Sequence, residues 1–205
     1  WAVAHNAVVN GLGVSVPLDR QLPGPEVISL TDRGQAEVFI YGPSHHEIAR
    51  AVSAVNNRVR YFICMKPDVI TEQDKKADSR FIEFDEVLSK GARLLREGNR
   101  GYVDAVIDPE VMCSLLFTSG TTAMSKGVML CHRCITHNIH SVMGTLNIPC
   151  GQNALSILPL HHTFENTVGM YMVLAFGCGL AVAFFSTPLR SVVVGILFLA
   201  IPVAS

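Results

Sequence analysis

Short apolar runs alternate along this chain with stretches whose apolar residues recur at helical spacing. Residues 14–18 follow NGLG and read as a short strand closed by Pro17. Residues 36–41, AEVFIY, read as a second strand, stopped by Gly42 and Pro43. Residues 60–65, RYFICM, and 111–117 read as two more, and 154–158 as a fifth. Between them, Ile48, Ala51, Val52 and Val55 fall on one helical face. Phe84, Val87, Leu88 and Leu95 fall on another, ended by Gly98, and Ile135, Ile139, Val142, Met143 and Leu146 on a third. Residues 44–47, SHHE, have the spacing of a capping box in front of the first of these helices. The polar stretch 66–80 reads as a surface connection, and Trp1 reads as lying within a helix. Strand and helix taking turns in this way predict an α/β fold, a mostly parallel sheet with helices on both faces. In such a sheet, ligands sit at the carboxyl ends of the strands.

Composition narrows the functional classes. The chain has 205 residues, enough for one large domain or two small ones, and 49% of them are hydrophobic. A formal net charge of −1 argues against a nucleic-acid partner, which needs clustered excess Lys and Arg. Six cysteines are scattered without a repeating interval. That suits a reducing compartment, the cytoplasm, better than a disulfide framework. No basic, apolar, small-residue signal opens the sequence.

The stretch with the most chemical content is SGTTAMSKG, residues 119–127, directly after the apolar run 111–117. Gly, Ser and Thr let backbone N–H groups approach a ligand, the hydroxyls add donors, and Lys126 adds a positive charge. Phosphate oxygens fit such a loop. The P-loop of nucleotide hydrolases does not match. The Gly before Lys126 and the Ser/Thr after it are absent, and GVML beyond reads as a strand, not a helix. Two other constellations are weaker. Cys131, Cys134, His137 and His140 are zinc-ligand types, but steps of three wander around a helix axis, so only neighbouring pairs share a face. Residues 166–189 and 191–205 carry no charged side chain and raise a membrane-associated reading. Gly169, Gly177, Gly179 and Pro188 interrupt the first run.

The loop resembles the phosphate-binding signature of the adenylate-forming (AMP-binding) superfamily, which includes acyl-CoA synthetases, luciferases and adenylation domains. The pattern [ST]-[SG]-G-[ST]-T-G-x-x-K-G is met by Thr118, Ser119, Gly120, Thr121, Thr122, Ala123, Met124, Ser125, Lys126 and Gly127. Ala123 departs from it, standing where Gly is commonest. NGLGVSVPLD (10–19) is similar to the family's early strand. LPLHHTFE (158–165) is similar to its motif beside the acyl pocket, in the form found in bacterial long-chain fatty acid–CoA ligases.

The resemblance implies a fold, part of the family's large N-terminal domain, over residues 1–185, with 186–205 a divergent apolar tail. It implies ATP-dependent activation of a long-chain fatty acid as an acyl-adenylate, followed by transfer to CoA. ATP, Mg²⁺ and CoA are the implied cofactor and cosubstrates, and a fatty acid or other carboxylate the partner, with peripheral membrane contact as a further option. Thr118, Ser119, Gly120, Thr121, Thr122 and Lys126 would hold phosphates, with Thr118 reaching Mg²⁺. His162 and Lys126 would be catalytic, and His162 and Phe164 would contact the acyl substrate. The family's Tyr-Gly-x-Thr-Glu-like stretch and its ribose-binding Asp are not found in this sequence. The chain therefore reads as an N-terminal part of a ligase, expected to be inactive by itself. The alternative is a membrane-associated or nucleotide-binding protein without catalysis.

Overall fold

The computed structural model describes residues 1–118, 125–146, 149, 151–177 and the backbone of 179–182. It divides into two compact units. One comprises Trp1–Ile107 with Ser119–Lys126, the other Asp108–Thr118 with Gly127–Ser205.

The first unit opens with helix α1 (Ala2–Ala7), which continues as a wider turn over Val8–Leu12, so Trp1 stands at a helix start. Residues 14–18 contribute an isolated bridge at Ser15 rather than a full strand. Pro17 lacks an N–H to give to a ladder, and the Ser15 hydroxyl is taken by His5 Nδ1 at 2.7 Å. Helix α2 (Gly24–Arg33) went unread in the sequence, because Gly24 and Pro25 look like a turn. Proline in the first turn of a helix loses no hydrogen bond, and here it starts one.

Strands β1 (Val38–Tyr41), β2 (Tyr61–Cys64) and β3 (Phe81–Glu83) form a parallel sheet in that order. Helix α3 (His46–Val55) connects β1 to β2, and α4 (Glu72–Ala77) connects β2 to β3. Parallel neighbours require such crossovers. Phe62 is fully buried and stacks on Phe81 with ring centroids 4.9 Å apart. Val27, Ala49, Val52, Val59 and Ile70 complete the core around them. Burying one such side chain contributes about 1.5–3 kcal/mol. Helix α5 (Phe84–Arg96) follows the third strand, and Gly98 beyond it has φ +85, a left-handed conformation that glycine adopts without a Cβ clash.

Two further expectations fail in this unit for identifiable reasons. Residues 44–47 make no capping box. Pro43–His45 form a 3-10 turn, so α3 starts later, with His45 as an N-cap without a side-chain bond. Ser44 Oγ pairs with His45 Nδ1 at 3.0 Å instead. The capping box lies within 66–80, the stretch read as a plain surface connection. Thr71 caps α4, and Asp74 reaches back to the Thr71 N–H at 2.8 Å. Nearby, Arg80 donates to the carbonyls of Ser53, Asn56 and Val59 at 2.7–2.9 Å and pairs with Asp78 at 2.7 Å. The guanidinium thus satisfies the carbonyls left over at the end of α3, and the polar stretch is a working part of the fold.

The second unit begins with β4 (Met112–Thr118) paired with β5 (Lys126–Cys131). Cys113 Sγ reaches the Leu130 carbonyl at 3.5 Å, while Gly127 abuts Leu115 and Phe117. Rising numbers on one strand meet falling numbers on the other, so the pair is an antiparallel hairpin. Helix α6 (His132–Met143) follows, then β6 (Asn153–Ser156). The helical segment Glu165–Met172 is wound wider than an α-helix and runs into α7 (Val173–Ala175). It is followed by β7 (Gly179–Val182), parallel to β6. No helix among the described residues is long and apolar enough to cross a membrane. The tail 186–205 lies outside the described residues.

Candidate active site

Strand β4 is buried on both faces in its middle, with Cys113 on one and Ser114 and Leu116 on the other. It ends at Thr118, whose side chain is exposed. Ser119, Gly120, Thr121 and Thr122 lie outside the described residues. The chain is described again at Ser125, and its carbonyl accepts a 2.6 Å hydrogen bond from Arg33 Nη2. Arg33 ends α2, so this guanidinium ties the descending side of the loop to a rigid element. Sequence reading missed Arg33. Nothing in the one-dimensional pattern links it to a loop 92 positions away. Lys126 then opens β5 with an exposed side chain. The expected phosphate ligands between Thr118 and Lys126 therefore lie, in sequence, between the end of β4 and the start of β5.

The second set of predicted residues sits between β6 and the helical segment that starts at Glu165. The His162 N–H donates to the Pro159 carbonyl at 2.9 Å, and the His162 carbonyl accepts from the Asn166 N–H at 2.9 Å. His162 Nδ1 stands 3.4 Å from the Phe164 N–H. The histidine is thus fixed by its main chain while its ring is exposed. Phe164 is 42% exposed at the start of the helical segment. The structure brings His162 and Phe164 into one turn.

What holds that turn is a residue that sequence reading quoted but did not use. Glu165 is only 4% exposed, and its carboxyl is hydrogen-bonded by the Ser156 hydroxyl at the end of β6 and by the Leu158 N–H. The loop bearing His161, His162 and Phe164 is closed at both ends by this one side chain. Gly169 makes the closure fit. A methyl group there would collide with the Glu165 carboxyl, which folds back over its own helix. Burial pushes the Glu165 carboxyl above the usual value of 4.5, against the opposing influence of Ser156, Leu158 and His162. The glutamate was legible as a letter, but its burial was not.

The first unit has a hollow of about 350 Å³, lined in part by Arg50, Ser53, Asp74, Asp78 and Phe81. None of the predicted site residues lines it. Among the described residues, no group of three or more His, Cys, Asp or Glu could hold a metal ion.

Comparison with known proteins gives this geometry a context. Residues 1–194 match the family described as AMP-binding enzyme. Fatty acyl-CoA synthetase A of Dictyostelium discoideum is 27% identical over 190 residues, covering 91% of this chain and 27% of that protein. The long-chain-fatty-acid–CoA ligase of Escherichia coli is 32% identical over 99 residues, covering 47% of this chain and 17% of the ligase. Among solved structures, the anthranilate CoA ligase AuaEII in complex with anthranoyl-AMP superposes with a TM-score of 0.73 at 17% identity. That match covers 94% of this chain and 35% of that one. The chain thus spans about a quarter or less of the length of these curated relatives. A signature loop between two strands, a fold shared with an adenylate-forming enzyme and a family match along most of its length agree: the chain belongs to the AMP-binding enzyme family, whose members related to it include acyl-CoA synthetases.

Proposed function

We propose that this chain supplies the triphosphate-binding and carboxylate-facing elements of an AMP-forming long-chain fatty acid–CoA ligase. The observation that carries the reading is the Thr118–Lys126 signature, set between β4 and β5. In the reaction, a fatty-acid carboxylate oxygen attacks the α-phosphorus of ATP and pyrophosphate leaves. The thiol of CoA, losing its proton, then attacks the acyl carbon and AMP leaves. Negative charge grows on the pyrophosphate as the first bond breaks. Donors already aimed at that charge stabilise the transition state more than the ground state. Ser119, Gly120, Thr121, Thr122 and Lys126 would hold the phosphates, with Arg33 steadying the loop through Ser125.

Mg²⁺ enters this reading with the nucleotide, as MgATP. It typically keeps waters and substrate phosphates among its ligands, and the exposed Thr118 hydroxyl fits as one more oxygen. His162 would orient the carboxylate, and Phe164 would contact the acyl chain. The HHTFE form and the name of the Escherichia coli relative support a long-chain substrate, and the name of the Dictyostelium discoideum relative supports a fatty acyl one. We read residues 1–185 as part of the N-terminal AMP-binding domain and 186–205 as a divergent tail. The site of action in this reading is cytoplasmic, with peripheral contact to the membranes that contain such fatty acids.

The test is competition binding on the 205-residue chain. MgATP should bind weakly and be displaced by pyrophosphate. A non-hydrolysable acyl-adenylate with a long acyl chain should displace it better than one with a short chain. His162→Ala should weaken the acyl-adenylate and leave pyrophosphate unchanged, and His161→Ala should change neither. Equal behaviour of the two histidine variants would remove His162 from the site. With CoA and fatty acid added, this chain alone should form no acyl-CoA, because phosphate contacts hold only one end of the nucleotide and reaction needs both ends oriented. Thioester detected by mass spectrometry at a synthetase-like rate would contradict that expectation.

A further inference from the structure

The junction between β5 and α6 carries two thiols that adenylate chemistry leaves unused. Cys131 ends β5 and is the N-cap of α6, and Cys134 follows in the first turn of that helix. Their Sγ atoms stand 3.3 Å apart, and both cysteines are free. Cys134 is exposed and Cys131 half-buried, so a small molecule can reach the pair. A disulfide needs the sulfurs at about 2.05 Å, so closing the gap takes a shift of roughly 1 Å between them.

The two thiols are not equivalent. Cys131 lies at the start of the helix, where the Arg133 N–H also donates to the Pro109 carbonyl at 3.0 Å. The N–H and thiol of Cys134, with a further N–H from Arg133, hold its pKa below the usual thiol value, against a carboxylate at Glu110 that opposes this. Thiolates are the nucleophiles in disulfide exchange, and helix N-termini favour them. Arg133, between the two cysteines, is itself paired with Glu110. The third thiol nearby, Cys113 in β4, is buried and has its pKa pushed up by burial, which makes it inert. Among the described residues, no group of three or more potential metal ligands includes the pair.

We propose that Cys131 and Cys134 form a redox-active dithiol that closes to a disulfide by exchange with a small-molecule disulfide. The Cys131 thiolate attacks one sulfur of that disulfide, whose S–S bond breaks, and one small thiolate leaves and takes a proton from solvent. Cys134, giving its proton to solvent, then attacks the Cys131 sulfur of the mixed disulfide, and the second small thiol leaves. The two protein thiols are oxidised by two electrons, and the small disulfide is reduced to two thiols. The site lies at the opposite end of β5 from Lys126, so the phosphate-binding residue and the dithiol share one strand.

The experiment equilibrates the 205-residue chain with mixtures of reduced and oxidised glutathione, traps free thiols by alkylation and maps peptides after trypsin. Cleavage follows Lys126 and Arg133, so the disulfide joins peptide 127–133 to the peptide that begins at Cys134. That joined pair should accumulate as the buffer becomes more oxidising and disappear when it is made reducing again. Cys134→Ser should trap Cys131 as its glutathione mixed disulfide. In Cys131→Ser, the glutathione adduct on Cys134 should form several-fold more slowly. Cys150 and Cys178 share the second peptide, so a joined pair that survives Cys134→Ser would overturn the assignment. So would a wild-type chain in which Cys131 stays a mixed disulfide and never closes.

Discussion

Among the described residues, each unit buries one carboxyl group, and the two are treated in opposite ways. In the first unit, Asp74 is 8% exposed and accepts from the Thr71 N–H at 2.8 Å and the Thr71 hydroxyl at 2.6 Å. His46 Nε2 stands 3.3 Å away and Arg50 Nε 3.6 Å away. The Thr71 hydroxyl and N–H, with His46, hold its pKa below 3.8 despite burial. In the second unit, Glu165 has neutral donors, the Ser156 hydroxyl and the Leu158 N–H, and burial raises its pKa above 4.5. The first carboxylate is kept charged to terminate a helix. The second is pushed toward its protonated form, and it closes the loop that carries His162. Burial is the largest influence on Glu165, whereas at Asp74 it is outweighed by the Thr71 hydroxyl, so the balance of burial against donors decides which way a buried acid moves.

The largest effect that would test this contrast is loss of Asp74. Asp74→Ala removes a capping box and leaves the Thr71 N–H and hydroxyl without their acceptor. Caps contribute about 1 kcal/mol and hydrogen bonds to charged groups about 1.5–3 kcal/mol, so a loss of about 3 kcal/mol is expected. Urea unfolding followed by hydrogen exchange in peptides from 38–83 would measure it. A loss below about 1 kcal/mol would mean that Asp74 is tolerated there rather than needed.

Gly169→Ala should come next, at about 2 kcal/mol, because the new methyl group overpacks against the Glu165 carboxyl. Combined with Glu165→Ala, the same substitution should cost much less than the sum of the two single changes, since the group it strikes is gone. Additive losses would show that Gly169 is required for some other reason.

The smallest effect is the most diagnostic, because its sign differs between the units. Asp74 and Asp78 have folded pKa values below 3.8. Their contribution is present above that pH and is lost as pH falls through the folded values. Glu165 behaves in reverse. Its folded state binds the proton more tightly than the unfolded chain does. The second unit therefore loses stability as pH rises from about 4.5 through the folded value. Hydrogen exchange in peptides from 153–175 should show protection weakening over that window, and Glu165→Gln should flatten the slope. Protection that strengthens with pH in wild type would place a charged partner at Glu165.

Sequence pattern alone located β1, β2, β4, β6, α5 and α6, because each is a short apolar run or a clean helical face. It also identified the hairpin strand after Lys126, which excluded a P-loop. It failed where a local signal had two meanings. Gly24 and Pro25 mark a turn or a helix start, and Ser44 caps a helix only when no 3-10 turn intervenes. His162 and Phe164 were proposed for the site from their motif, and the structure places both in the loop that Glu165 closes. Arg33, Ser156 and Gly169 were not legible, since their roles depend on which atoms tertiary folding brings beside Ser125 and Glu165.

The most direct test of the central claim concerns the loop between β4 and β5. Titration calorimetry of the 205-residue chain with MgATP, set beside the Lys126→Ala variant, asks whether that loop binds a triphosphate. Lys126 is exposed at the start of β5, so its loss should leave the fold intact, checked by an unchanged melting temperature. A charge-assisted contact of about 1.5–3 kcal/mol corresponds to a loss of roughly tenfold or more in affinity. MgATP binding weakened by that amount, with pyrophosphate weakened in parallel, is the predicted result. Equal affinity of the two proteins for MgATP would contradict the account.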